Sequence, residues 1–289
     1  MSAPRVLILD GNVATIRARY QEMLGYDTGT GYARALRRLM PDLTCDVIYP
    51  ADERATLPEG AGLESYDGAA ITGSALCVSD GGAPVVRQIE LVRAIFRAGV
   101  PIFGSCWGLQ IAVAAAGGAV RPNPRGREFG FGRRIQLTPA GRAHPLFAEK
   151  PQVFEAPTVH QDDIETLPAG AETLATNDMG LQAAAFAHAR GLFWGVQYHP
   201  EYDYLDLSAV ARRYGSALID GNIFGDATAL QSFVADMQAL QAQPDDRPLL
   251  WKYALGPSMR EEPVRRAELR NWLTVQVLRR CAARSASAS

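Results

Sequence analysis

A chain of 289 residues, 47% hydrophobic and 21% charged, has the make-up of an ordinary folded protein large enough to bury a core without disulfide or metal staples. Its net charge of −2 gives no general attraction to nucleic acid or to an anionic membrane, and no apolar run approaches the roughly 18 residues of a membrane span. The four cysteines form no C-x-x-C pair and match no zinc spacing, which with the absence of a secretion signal predicts a cytoplasmic protein with no metal site.

In chain order, Arg5–Leu9 is an apolar run ending at Asp10-Gly11 and reads as a buried strand. Residues 32–40 carry helical periodicity, and residues 44–49 and 68–72 read as two more strands. Residues 84–98 read as a helix, with proline at the start and Gly99 just past the end. A fourth strand at 100–103 is followed by a helix at 107–116. This alternation predicts an α/β fold with a mostly parallel central sheet flanked by helices. Between 133 and 197 the pattern changes to short strands, at 134–137, 152–155, 172–175, 182–187 and 192–197. Residues 205–219 are again helical.

The expected boundaries are a domain over 1–225 and a helical C-terminal extension over 226–289. Helices are expected at 228–241 and 263–280, with a break at 243–246. The small, polar tail at 282–289 reads as disordered. The second of these helices gathers Val264, Leu269, Leu273, Val277 and Leu278 near one face, with Trp272 beside it. Such a stripe must be covered, either by its own domain or by the same helix of a homodimer mate.

Two segments carry chemistry. An apolar strand runs into Gly104-Ser105-Cys106-Trp107-Gly108 and a helix follows, which is a nucleophile elbow with cysteine as the nucleophile. The glycines permit the sharp turn, the helix N-terminus favours a thiolate, and the Trp107 N–H can face a developing oxyanion. In the second segment His199 ends a strand and Glu201 follows across Pro200. A histidine can take the thiol proton, and a carboxylate on its other nitrogen orients it.

Together these segments resemble the class I (triad) glutamine amidotransferases over roughly residues 5–219, and most nearly the glutaminase domain of GMP synthase. Ile71-Thr72-Gly73-Ser74-Ala75, Arg127-Glu128-Phe129-Gly130 and Val159-His160-Gln161-Asp162 are similar to further segments of that family. The resemblance implies a flavodoxin-like architecture and a catalytic triad of Cys106, His199 and Glu201. It implies an oxyanion hole from Gly73, Ser74 and Trp107, and a substrate site from Gln110, Val159, His160 and Gln161. It implies no cofactor, since side chains and backbone carry a thioester path. Arg127 and Glu128 read as a structural ion pair, and Cys77 as packing.

The substrate implied is glutamine or a γ-glutamyl compound. Ser74, Ala75 and Gln161 depart from the family pattern, which bears on the oxyanion hole and on plain glutamine as substrate. No G-x-x-x-x-G-K-[ST] loop occurs, so an ammonia acceptor would be a separate synthetase subunit. The expected function is a cysteine-dependent glutaminase that supplies ammonia to a separate acceptor. The alternatives are a stand-alone γ-glutamyl hydrolase or peptidase with the same triad, and a non-catalytic regulatory subunit.

Overall fold

The computed structural model describes residues 3–287. Its first half alternates as the apolar runs require: β1 (Arg5–Leu9), α1 (Ala14–Leu24), α2 (Thr28–Leu39), β2 (Thr44–Ile48), β3 (Gly68–Ile71), α3 (Gly82–Ala98), β4 (Ile102–Ser105) and α4 (Trp107–Ala115). Then come β5 (Ala119–Pro122), β6 (Glu128–Leu137), α5 (Pro139–Ala143), β7 (Val153–His160), β8 (Asp162–Thr166), β9 (Glu172–Asn177), β10 (Gly180–His188) and β11 (Gly191–Val196). The rest is helical: α6 (Tyr204–Asp220), α7 (Ala227–Ala242), α8 (Arg247–Lys252), α9 (Pro257–Arg260), α10 (Glu262–Arg265), α11 (Ala267–Trp272), a π turn at Leu273–Val277, and α12 (Leu278–Ser287). Aspartates cap four of the helices: Asp27, Asp203, Asp226 and Asp246 each accept first-turn N–H groups of α2, α6, α7 and α8. No helix among the described residues is long and apolar enough to cross a membrane.

The main sheet runs β2-β1-β3-β4-β11-β10-β9-β6-β7. From β2 to β11 the pairing is parallel, and from β11 to β7 it is antiparallel. The central strands are buried on both faces, as parallel strands covered by helices must be. Val6, Ile8, Ala70 and Phe103 pack with Tyr32 and Leu36 of α2 and with Trp272. Leu7, Leu9, Ala69, Ile71 and Ile102 pack on the other side with Val92, Ile95 and Phe96 of α3 and Leu109 and Ile111 of α4. The period of two along each strand sorts the same residues into these two sets.

Three features differ from the sequence expectations. Helix α1 and the antiparallel pair β5–β8 are additional: α1 has a weak apolar stripe, and β8 is rich in acids. The residues from 263 to 280 are not one helix but α10, α11, a π turn and the start of α12. Most of their stripe is covered from within the chain, although Leu278 is 39% exposed. Leu269, Trp272, Leu273 and Val277 are buried in the chain's own core, with Trp272 against Phe103 at 5.8 Å between ring centroids. Finally, the tail is helical to Ser287 rather than disordered, and residues 288 and 289 lie outside the described residues. Charge explains this order. Arg284 forks the buried Asp67 at 3.0 and 2.9 Å, and Arg280 donates to the carbonyls of Tyr66 and Gly99.

Because Trp272 fills the core, Trp272→Ala should cost about 3–5 kcal/mol in urea unfolding. The mass of the native variant in light scattering should equal that of the parent. A lower mass at unchanged stability would return the stripe to a subunit interface.

Candidate active site

Strand register brings the two chemical segments together. β11 pairs β4 in parallel with Val196 opposite Ser105, and the Cys106 N–H extends the ladder to the Val196 carbonyl at 2.8 Å. Cys106 and the segment leading to His199 therefore leave the same edge of the sheet. At Cys106 the chain turns with φ 53°, a left-handed conformation that costs a non-glycine residue free energy, and it enters α4 at once. Gly104 makes this possible: a Cβ there would come within 2.4 Å of the Gly108 backbone.

Cys106, His199 and Glu201 are 5%, 1% and 6% exposed. The imidazole Nδ1 of His199 meets Glu201 Oε1 at 2.7 Å. Its Nε2 has no well-formed hydrogen bond among the described residues, and His199 shares a narrow chamber with Cys106. Burial works against a charged His199, but the Glu201 carboxylate and the adjacent Cys106 outweigh it and push the imidazole up to about 10. Such an arrangement can take a proton from sulfur and later deliver it to a leaving nitrogen.

Several supporting residues gave no signal in the sequence. Ser105 donates to Glu201 Oε2 at 2.9 Å and shares a 3.0 Å hydrogen bond with the Tyr32 hydroxyl. The Tyr202 ring stacks on His199 at 4.0 Å, 7° from parallel. Arg266, far along the chain, donates to the Glu201 carbonyl at 3.4 Å. Ser105 and Tyr202 are sequence neighbours of Cys106 and Glu201, which was the one available clue.

The Gly73–Ser74 loop lies against His199; a Cβ on Gly73 would come within 2.5 Å of the ring. Its conformation is pinned from within the chain. The Gly73 carbonyl accepts from Asn12 Nδ2 and Thr72 Oγ1, Asn12 Oδ1 accepts from the Ala75 N–H, and Ser74 Oγ donates to the Gly11 carbonyl. Among the described residues the N–H groups of Gly73, Ser74 and Trp107 have no acceptor. The Trp107 indole is fixed by Gln88 at 2.8 Å.

A chamber of about 90 Å³ opens on Cys106 and is lined by Ser74, Gln110, Val159, His160, Gln161 and Asp162, with Arg127 and Tyr214 beside them. The Cys106 thiol donates to the Val159 carbonyl at 3.5 Å. Gln110 Nε2 is held by the Asp162 carbonyl and Gln197, and the His160 ring by the Asp162 carbonyl and Glu128. The expected Arg127–Glu128 ion pair is absent among the described residues. Glu128 instead accepts from Asn177 and Gln182 and pairs with His160, whereas Arg127 stacks over Tyr214 and donates to Gln161. Cys77 is half-buried in the chamber wall, and burial pushes its thiol up to about 11. Among the described residues, no group of three or more His, Cys, Asp or Glu could hold a metal ion.

A larger cavity, about 240 Å³, lies against Thr72, Gly73, Glu201 and Tyr202. Asp206 lines it. Burial, with the nearby Asp203 carboxylate, pushes its pKa up to about 8, although the Asp203 N–H opposes this. An acid whose folded pKa is raised favours its protonated form, so stability falls as pH rises from about 4 to 8. Asp206→Asn should therefore melt above the parent at pH 8.5, by about 2 °C or more, with the difference gone at pH 4. A constant difference across that range would remove Asp206 as the titrating group.

The family model described as Glutamine amidotransferase class-I matches residues 24–205. The γ-glutamyl-L-1-hydroxyisopropylamide hydrolase of a Pseudomonas species is 35% identical over 225 residues, covering 76% of this chain and 75% of that protein. The glutamine-hydrolysing GMP synthase of Streptomyces avermitilis is 32% identical over 180 residues. These are 62% of this chain but 32% of that enzyme, so the chain spans about a third of such synthases. A glutamine amidotransferase structure from Thermotoga maritima shares the fold, with a TM-score of 0.63 at 20% identity over 96% of this chain and 99% of that one. A Methylobacillus flagellatus glutamine amidotransferase does so at 0.59 and 19%, over 98% and 95%. The chain belongs to the class I glutamine amidotransferase family.

Proposed function

We propose that this protein is a thiol hydrolase of γ-glutamyl amides, cleaving the γ-amide bond to glutamate and an amine. The observation that carries this reading is the relative whose printed activity is γ-glutamyl-amide hydrolysis and which aligns over three quarters of both chains. The buried Cys106, His199 and Glu201 supply groups for the reaction.

In the proposed path His199 has already taken the Cys106 proton, and the sulfur attacks the γ-carbonyl as a thiolate. The oxyanion is held by N–H groups of Trp107 and the Gly73–Ser74 loop. His199 then protonates the departing nitrogen, leaving a γ-glutamyl thioester on sulfur. Water attacks the thioester with His199 as base, sulfur leaves, and glutamate is released. Glu201 orients the imidazole and stabilises its charge; Ser105, itself hydrogen-bonded to the Tyr32 hydroxyl, donates to the second carboxylate oxygen. The pinning of the Gly73–Ser74 loop by Asn12 and Thr72 supports activity without a partner to reshape it.

A second reading, a glutaminase handing ammonia to a separate synthetase subunit, is favoured by the similarity to GMP synthases. The two readings differ in the nitrogen product. Purified protein should release ethylamine from L-γ-glutamylethylamide at least tenfold faster than ammonia from L-glutamine, at equal substrate. Fast glutamine hydrolysis with the ethylamide ignored would favour the second reading.

Within either reading, Cys106→Ala should abolish turnover. His199→Ala should lower kcat by roughly 10⁴-fold and Glu201→Gln by roughly 10²-fold. Parent-like rates for Glu201→Gln would show the carboxylate to be irrelevant.

A further inference from the structure

Two chambers flank Cys106, and they differ in one respect that matters for the amine. Cys106, Ser74, Val159 and Tyr214 line both, but His199 lines the narrow chamber and not the 90 Å³ one. In the proposed path His199 protonates the departing nitrogen, so that nitrogen belongs on the side of the sulfur where His199 stands. The narrow chamber has about 10 Å³ of free space, close to that of a single water. Ammonia fits there, but the substituent of a larger amine must pass further on. Tyr20, Thr28, Gly73 and Tyr202 line this chamber and also the 240 Å³ cavity next to it. At about 30 Å³ per water, the cavity holds roughly eight water-sized groups.

The lining decides what kind of substituent suits the space. Tyr20, Tyr32, Tyr202, Leu24 and Ala35 contribute ring and aliphatic surface. The charged residues around them already have partners in the chain. Asp27 accepts from the Thr30 N–H at 2.8 Å and the Tyr49 hydroxyl at 2.7 Å. Asp203 accepts from the N–H groups of Leu205 and Asp206 at 2.9 and 3.1 Å. Arg38 and Arg266 both pair with Glu262, at 3.7 and 2.6 Å, and the exposed Arg34 guanidinium lies 4.3 Å over the Tyr26 ring. Asp206, pushed up to about 8 by burial, is uncharged at neutral pH. A charged substituent would lose its water and find no free counter-charge, whereas an apolar one gains by leaving water.

We infer that the 240 Å³ cavity is the leaving-group subsite, and that it takes the uncharged alkyl or aryl substituent of the departing amine. This rests on the γ-glutamyl-amide reading above and names the class of amine that the enzyme releases.

The test follows amine release by the full-length protein from three compounds: L-γ-glutamylethylamide, L-γ-glutamyl-n-pentylamide and L-γ-glutamyl-4-aminobutylamide. The last two are equal in length and differ by a terminal cation. The parent should favour the pentylamide over the ethylamide at least tenfold in kcat/KM, and over the aminobutylamide by about 100-fold. Ala35→Phe on α2 and Leu24→Trp on α1 each fill the cavity from one side. Each should lower the preference for pentylamide over ethylamide at least tenfold. Turnover of the ethylamide in the same sample reports a folded site, and the second variant carries the test if the first does not fold.

A parent that cleaves the ethylamide but shows no preference for the pentylamide, or accepts the aminobutylamide equally, would overturn the subsite assignment alone. Parent-like preference in both filled variants would do the same. A parent that cleaves none of the three amides, with Cys106 still reactive to iodoacetamide, would overturn the γ-glutamyl-amide reading and the assignment with it.

Discussion

The parallel register of β4 and β11 is the constraint on which the rest of the site depends. With Val196 opposite Ser105, two segments far apart in the chain end level at one sheet edge. The Cys106 N–H then uses the Val196 carbonyl, so the next residue along β4 must turn away from the ladder. That turn is the left-handed Cys106 backbone, and it is tolerated because α4 packs directly over Gly104. A slip of one residue would carry Cys106 to the other face and leave His199 beside a backbone carbonyl.

Burial then decides the electrostatics. An imidazole at 1% exposure would ordinarily be neutral, because desolvation penalises its cation. Glu201 reverses this, and it can do so only because its own charge is supported. One oxygen meets His199 and the other accepts from Ser105, whose hydroxyl is shared with Tyr32. Both carboxylate oxygens are thus hydrogen-bonded in a dry site, where each hydrogen bond counts for more than in water. His199 Nε2 is the one ring atom left without a good partner, as a group with a proposed proton-transfer role needs to be.

What could be read in the sequence was local. The central strands and the helices α3, α4, α6 and α7 follow from apolar periodicity, and the elbow and the His-x-Glu pair are each contained within a few residues. Contacts made across the fold carried no such signal. Tyr32 reaches Ser105 from α2 and Arg266 reaches the Glu201 carbonyl from beyond α10, and neither position has a pattern that says so. The Arg127–Glu128 reading failed for a geometric reason. Successive residues of an extended chain point to opposite sides, so Arg127 turns to the chamber and Glu128 to His160 and Gln182. The C-terminal stripe was visible as a stripe, but periodicity cannot say what covers it, and Trp272 is covered by the chain's own sheet.

That last contact ties the extension to the proposed chemistry. The family model ends at residue 205, yet the helices beyond it touch the segment around His199 at two points. Glu268 is buried between Lys150, at 2.9 Å, and the Tyr198 hydroxyl, at 2.5 Å, one residue before His199. Arg266 holds the Glu201 carbonyl from the same side. Removing one member of such a buried set leaves the others unpaired, which costs more than the contact itself is worth. The extension therefore stabilises the fold and braces the strand end that carries His199 by the same interactions. The two effects cannot be separated by truncation, only by conservative changes that keep the packing and alter the hydrogen bond. Glu268→Gln is such a change: it removes the negative charge facing Lys150, but its amide oxygen can still accept from Tyr198.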